Sequence, residues 1–303
     1  MTKTILFIHG MFQNSKSWQK WATHFTSRGY QCIVPDWPEH EGDPATLRAD
    51  PPQGLGKLGL ETVINKMEAI IATLPAKPVV IGHSVGGLIA QVLANKGLAS
   101  AAVCVSPVAP NKMMTFDWDF FKNSAVIANP LKGDEPIYTD PEMFHGSFCN
   151  TLDDAAARTA FEETALHDSR NIFRDCLTDA GHVDLDKEHV PLLFVTGKED
   201  KIIPHELVEK NAKAYEDQSN VLYHVFPARS HYICNEPGWE EVVSLAGQWL
   251  EEITHDGDSG DRYVNGEIVN EPDDVEEHAI VQNEPADPLT PEDLDENVFD
   301  KVR

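Results

Sequence analysis

Short apolar runs alternate with helical periods along most of the chain, and the runs are apolar at nearly every position. They fall at Thr4–Ile8, Gln31–Pro35, Val79–Ile81, Ala101–Val105, Leu192–Val195 and Val221–Phe226. A strand covered on one face alternates polar and apolar residues, whereas one covered on both faces does not. Helical stripes lie between the runs. Trp18, Trp21, Ala22 and Phe25 share one face, with Ser15 or Ser17 as N-cap. Leu60, Val63, Ile64, Met67, Ile70, Ile71 and Leu74 share another, stopped by Pro75. Val85, Leu88, Ile89, Val92 and Leu93 form a third, closed by Gly97, and Trp239 to Ile253 carries the last. This pattern predicts an α/β fold: a doubly wound, mostly parallel six-stranded sheet with helices on both faces.

The alternation breaks between residues 108 and 190, where helical fragments such as Asp153–Thr164 and Ser169–Leu177 occur without a strand. The expected layout is therefore core over 1–107, a helical cap insertion over 108–190, core again over 191–253, and a tail over 254–303. The chain has 50 acidic and 24 basic residues, a formal charge of −26, and half of that falls on the tail. The tail is aperiodic and too poor in apolar surface to offset its ordering entropy, so it is expected to be disordered. The acidic body argues against nucleic acid and anionic membrane as partners. Five cysteines, an odd count with no CxxC pair, point to reduced thiols. The N-terminal apolar run is too short for a secretory signal. These features describe a soluble cytoplasmic protein.

One turn stands out. In VVIGHSVGGLIAQ, residues 79–91, a β-branched run meets a helical stripe at Gly82-His83-Ser84-Val85-Gly86. A serine between a strand and a helix, with glycines on both sides, suits a nucleophile held above the sheet. The following helix aims its first amides at the same point. A hydroxyl needs a base, and the base needs a carboxylate to orient it. In this topology both should follow the serine, acid first, at later strand ends. The fifth run leads into Gly197-Lys198-Glu199-Asp200 and the sixth into Ala228-Arg229-Ser230-His231. Asp200 is the expected acid, with Glu199 as substitute, and His231 the expected base. Val85 N–H and Met11 N–H, in the loop after the first strand, are the expected oxyanion donors. His9 and His83 are expected to be hydrogen-bonded structural residues. His40, between Glu39 and Glu41, is expected in a solvated loop and not at a metal.

The segments ILFIHGMFQNSKSW, VVIGHSVGG, VTGKEDKIIP and ARSHYICNEP together resemble the α/β-hydrolase superfamily over about residues 3–253. The chain is similar to a compact subgroup, the plant methylesterases and hydroxynitrile lyases, which also begin almost directly at the His-Gly strand. The resemblance implies Ser84 as nucleophile, Asp200 as acid, His231 as base, and Met11 and Val85 as oxyanion donors. The lyases carry a lysine after the catalytic histidine where this chain has Tyr232, which disfavours cyanohydrin cleavage. Dehalogenases and epoxide hydrolases use an aspartate where this chain has Ser84.

The expected activity is hydrolysis of a carboxylic ester of a small, partly apolar molecule, without metal or organic cofactor. A lactonase, thioesterase, amidase or carbon–carbon hydrolase would use the same triad, and a non-catalytic receptor the same fold. In the insertion, Met113, Met114, Phe116, Trp118, Phe120 and Phe121 lie close in sequence, and Phe144 and Phe148 follow. Core packing and pocket lining are equally open for these side chains. Phe12, Trp118 and Phe144 are the candidate pocket residues.

Overall fold

The computed structural model describes residues 3–114, 130–259, 262–264 and 267–269. The six expected strands are present: β1 (Thr4–Ile8), β2 (Gln31–Ile33), β3 (Val79–His83), β4 (Ala101–Val105), β5 (Leu192–Gly197) and β6 (Val221–Phe226). They form one sheet in the order β2-β1-β3-β4-β5-β6, and every pairing in it is parallel. The chain runs outward from β1 to β2 and then crosses back to β3. The direction of winding therefore reverses between β1 and β3, and a crevice opens at their C-terminal ends.

The unbroken apolar runs are explained by two separate cores. Leu6, Ile8, Val80, Ala102, Cys104, Leu192 and Phe194 face one of them, while Ile5, Phe7, Ile81, Val103, Leu193 and Val195 face the other. The first is closed by helices α3 (Leu60–Ala72) and α4 (Val85–Asn95). The second is closed by α1 (Gln19–Ser27) and the helix Trp239–Ser259. Trp21 and Phe25 of α1 have no exposure at all, and burying one such side chain contributes about 1.5–3 kcal/mol. The turn leading into α1 is capped by Asn14, whose side chain accepts from Lys16 N–H, and not by Ser15 or Ser17. Gly97 ends α4 at φ 71°, in the left-handed conformation that glycine adopts without a Cβ clash.

The Pro- and Gly-rich stretch after β2 contains a helix, α2 (Pro44–Ala49), started by Asp43 as N-cap and Pro44 in the first turn. Arg48 of α2 reaches the insertion. Its guanidinium donates to the carbonyls of Phe161 at 3.0 Å and Ala165 at 2.6 Å, at the end of a helix where a cation is favoured.

The described residues of the insertion between β4 and β5 hold short helices, α5 (Asn111–Met114), α6 (Pro141–Met143), α7 (Asp154–Thr164) and α8 (Arg170–Asp175), with a π-turn over Phe144–Phe148 after α6. Part of it builds its own cluster, of Phe144, Phe148, Cys149, Ala157, Ala160, Phe161 and Ala165 with Tyr232. Another part joins the body: Ile172, Phe173, Cys176 and Val183 belong to the core beneath α3 and α4. After the insertion come α9 (His205–Lys213) and α10 (Trp239–Ser259).

Helix α10 continues past Ile253, the expected core boundary, to Ser259. Residues 260–303 form a separate unit. Within it β7 (Arg262–Val264) and β8 (Glu267–Val269) pair antiparallel, Val264 opposite Glu267. The sequence carries a signal for this pairing that composition hides: Asn265-Gly266 sits between Tyr-Val and Ile-Val, the residue pair favoured in two-residue hairpins. Among the described residues no helix is long and apolar enough to cross a membrane.

Candidate active site

Ser84 stands between β3 and α4 with φ 56° and ψ −119°. A non-glycine residue in this region is strained, typically by about 1–3 kcal/mol, and persists only where its surroundings leave no alternative. Here the surroundings are tight. Ser84 N–H donates to Val105 O at 2.9 Å, and Ser84 O accepts from Gly87, Leu88 and Val108. A Cβ on Gly82 would strike the Gly86 carbonyl oxygen, and one on Gly86 would strike that of Ile8. A Cβ on Gly10 would come within 2.7 Å of the Ser84 Cβ, so the first loop can lie against the serine only with glycine there. Val85 N–H is the first amide of α4, one of the four that have no partner within a helix. Ser84→Gly is expected to be more stable than Ser84→Ala by about 1 kcal/mol, because it releases the Cβ strain at some cost in chain entropy. Thermal melting of the two variants checks this, and equal stability would show that the turn is unstrained.

His231 follows β6 in the loop beginning at Pro227, and Asp200 follows β5. His231 Nδ1 lies 2.7 Å from Asp200 Oδ2, and both side chains are fully buried. Asp200 Oδ1 accepts from Ile202 N–H at 2.9 Å and Ile203 N–H at 2.8 Å. The carboxylate is thus held by two backbone donors on one oxygen and presents the other to the imidazole. Donation from Nδ1 leaves the lone pair on Nε2, which is buried without a hydrogen-bond partner. The neighbour of Ser84 fixes this ring's backbone: His83 Nε2–H donates to His231 O at 2.9 Å, with the two rings 4.6 Å apart. Burial and the adjacent His231 hold the His83 pKa well below its usual value, so it is a neutral donor. Phe148 meets the His231 ring edge-on at 4.8 Å.

The loops bearing the acid and the base are fastened by residues that sequence reasoning missed. Glu236 is almost fully buried. It accepts from Ser230 N–H at 2.8 Å, Ser230 Oγ–H at 3.1 Å, and Thr151 Oγ1–H. Asn150, beside Thr151 in the insertion, donates to Glu199 O at 3.0 Å, next to Asp200. Glu199, the substitute acid, has an exposed side chain, whereas Asp200 is buried.

Met11 and Phe12 lie in the loop after β1 and are both buried. His9 Nδ1–H donates to Gly10 O at 2.9 Å, and His9 Nε2 accepts from Trp37 N–H at 3.0 Å. Burial and the nearby His40 keep the His9 pKa well below its usual value, as these two bonds of a neutral ring require. His40 corrects the expectation of a solvated loop residue. It is 1% exposed, and its ring centroid lies 5.5 Å from that of Trp37 and 5.6 Å from that of His9. The adjoining acidic residues concealed a segment that folds inward behind Trp37. Among the described residues, no group of three histidine, cysteine, aspartate or glutamate side chains is arranged to hold a metal.

The three candidate pocket residues separate. Phe12 lies buried in the loop after β1. Phe144 is 1% exposed and stacks on Phe148 at 4.8 Å with an interplanar angle of 11°, inside the cluster of the insertion. Phe148 is the member of that pair lying against His231. Trp118, with Phe116, Phe120 and Phe121, lies outside the described residues.

The family model described as "Alpha/beta hydrolase family" matches residues 5–245. A comparison with curated proteins found no match. Among solved structures, the monoacylglycerol lipase of Paleococcus ferrophilus is 20% identical, with a TM-score of 0.63 over 83% of this chain and 96% of its own. Polyneuridine aldehyde esterase is 15% identical, with a TM-score of 0.59 over 84% of this chain and 100% of its own. Tomato Methylketone Synthase I complexed with 2-tridecanone is 14% identical, with a TM-score of 0.62 over 83% and 99%. At these identities the likeness is one of fold.

Proposed function

Since the chain belongs to the alpha/beta hydrolase family, we propose that it hydrolyses a carboxylic ester of a small, partly apolar molecule through an acyl-enzyme on Ser84. The observation that carries this reading is the 2.7 Å contact of His231 Nδ1 with Asp200, which leaves Nε2 as a buried acceptor next to the strained serine turn. Ser84 Oγ attacks the ester carbonyl carbon as its proton passes to His231 Nε2. The tetrahedral oxyanion takes hydrogen bonds from Val85 N–H and Met11 N–H, each worth about 3 kcal/mol in the transition state. Asp200 keeps the imidazole in the required tautomer and stabilises the imidazolium. His231 returns the proton to the leaving alkoxide, and the C–O bond breaks. Water, deprotonated by the same nitrogen, then attacks the acyl carbonyl and releases the acid, restoring Ser84 Oγ–H.

No step calls for a metal or an organic cofactor. Phe148 against His231 supports an apolar part in the substrate. The lipase and the esterase among the similar structures agree with an ester as the bond cleaved.

A fluorophosphonate probe should label the wild-type protein once, with label and p-nitrophenyl butyrate hydrolysis both lost in Ser84→Ala. A folded wild type that takes no label would remove the hydrolase reading and leave a binding protein on the same fold.

A further inference from the structure

The insertion reaches the loop after β1 through one buried carboxylate. Asp168 has no exposure. Its backbone is held by a two-way bridge to Ile137, with Ile137 N–H donating to Asp168 O at 2.7 Å and Asp168 N–H to Ile137 O at 3.0 Å. Its Oδ1 accepts from Ser169 N–H at 2.6 Å and its Oδ2 from Phe12 N–H at 2.7 Å. The same Oδ2 lies 3.3 Å from His40 Nε2. Two residues before Asp168, Leu166 N–H donates to Phe12 O at 2.8 Å. Phe12 is therefore pinned at both its amide and its carbonyl by the insertion. It is also one of the few non-glycine residues with positive φ, at 64°. Strain of that kind survives only where several bonds enforce it.

These bonds bear on the amide one residue upstream. The peptide joining Gly10 and Met11 is planar and trans, so its C=O and N–H point in opposite directions. His9 Nδ1–H holds the C=O of that peptide. The next peptide, joining Met11 and Phe12, is held through its N–H by Asp168. With the planes on both sides of the Met11 Cα fixed, the direction of Met11 N–H is fixed as well. His40 lies against that carboxylate, its Nε2 3.3 Å from Asp168 Oδ2. Burial opposes protonation of its ring, but the Asp168 carboxylate and the Pro38 carbonyl at 3.0 Å prevail, and its pKa is raised. A buried histidine–carboxylate contact is a poor device for stability alone, since desolvation offsets its attraction. It is a good device for holding a carboxylate where a backbone amide must be aimed.

We propose that Asp168 and His40 are a positioning pair for the oxyanion hole, through which the insertion sets the Met11 amide for the tetrahedral intermediate. The inference rests on the hydrolase reading above and adds residues that touch no substrate. An asparagine at 168 keeps size but not function. Phe12 N–H and Ser169 N–H each need an acceptor, one on each oxygen, so its amide group must face a donor whichever way it turns.

The test is steady-state hydrolysis of p-nitrophenyl butyrate together with the second-order rate of fluorophosphonate labelling, whose phosphoryl oxygen needs the same donors. For Asp168→Asn, kcat should fall roughly tenfold to a hundredfold, part of the effect of losing one donor. The labelling rate should fall by a similar factor and KM should stay within about threefold. His40→Gln, which keeps a donor but loses the charge, should show the same split with a smaller loss. It also stands in if Asp168→Asn fails to fold. A folded Asp168→Asn with wild-type kcat and labelling rate would overturn the inference while leaving the hydrolase reading intact, as would a change confined to KM. Where only His40→Gln folds, an unchanged kcat overturns it. A wild type that takes no label overturns both readings.

Discussion

Asp200→Asn is expected to lower kcat about ten-thousand-fold, with KM little changed and the fold retained. The direction follows from the two oxygens of Asp200. Oδ1 accepts from the amides of Ile202 and Ile203, so an asparagine is anchored with its carbonyl oxygen there. Its NH2 group must then face His231 Nδ1, now the lone-pair side of the ring. The proton moves to Nε2, the atom that should accept it from Ser84. The histidine is present and well placed, but in the wrong tautomer. Steady-state hydrolysis of p-nitrophenyl butyrate, with circular dichroism as control for folding, measures the loss. A variant within tenfold of wild type would mean that Asp200 is a loop anchor and that the base draws its orientation from elsewhere. Glu199, the other acid of that loop, has an exposed side chain, and Glu199→Gln should leave kcat within about twofold.

Residues at strand ends were legible because local period sets them. Each apolar run predicts where a strand stops, and a parallel sheet brings all its C-terminal ends to one edge. Ser84, Asp200 and His231 could be read one at a time, and the structure brings Asp200 and His231 into contact. Asp168 could not be read this way. Its partner Phe12 is 156 residues away, and it lies in the insertion, where no period indicates which side chains turn inward. His40 and Glu236 were hidden for a related reason. A charged residue near other charges reads as solvated, and only packing reveals the few that are buried. Helix α2 is a different omission. Asp43-Pro44 is an N-cap and first-turn pair that local reasoning supports, but the prolines and glycines around it give the whole stretch the composition of a loop. In the π-turn, Phe144 packs within the insertion, and its neighbour Phe148 meets the histidine.

Glu236 should separate hydrogen bonding from charge in the support of the base. Glu236→Ala removes the acceptor for Ser230 N–H and for two hydroxyls in a buried loop. An unpaired buried donor costs about 1–3 kcal/mol. Ser230 Oγ in turn accepts from Tyr232 N–H at 3.2 Å, so both residues flanking His231 lose their restraint. A displacement of about 1 Å in the base is enough to cost roughly a hundredfold in kcat. Glu236→Gln should stay within several-fold of wild type, because its carbonyl can take the Ser230 amide and the hydroxyls can rotate to suit its NH2 group. The two variants also differ in pH dependence. Burial raises the Glu236 pKa, and the hydrogen bonds from Thr151 and Ser230, which act the other way, do not offset it. A carboxyl whose folded pKa lies above its unfolded one favours the folded state when protonated. That contribution is complete below the unfolded value and is lost as pH rises through the raised folded value. Glutamine carries no such loss. Denaturant unfolding over a pH series should therefore show Glu236→Gln gaining on wild type across that window and holding a constant advantage above it. A difference that stays flat with pH would mean that the carboxylate ionises in place without cost, and that Ser230 and Thr151 solvate it as well as water does.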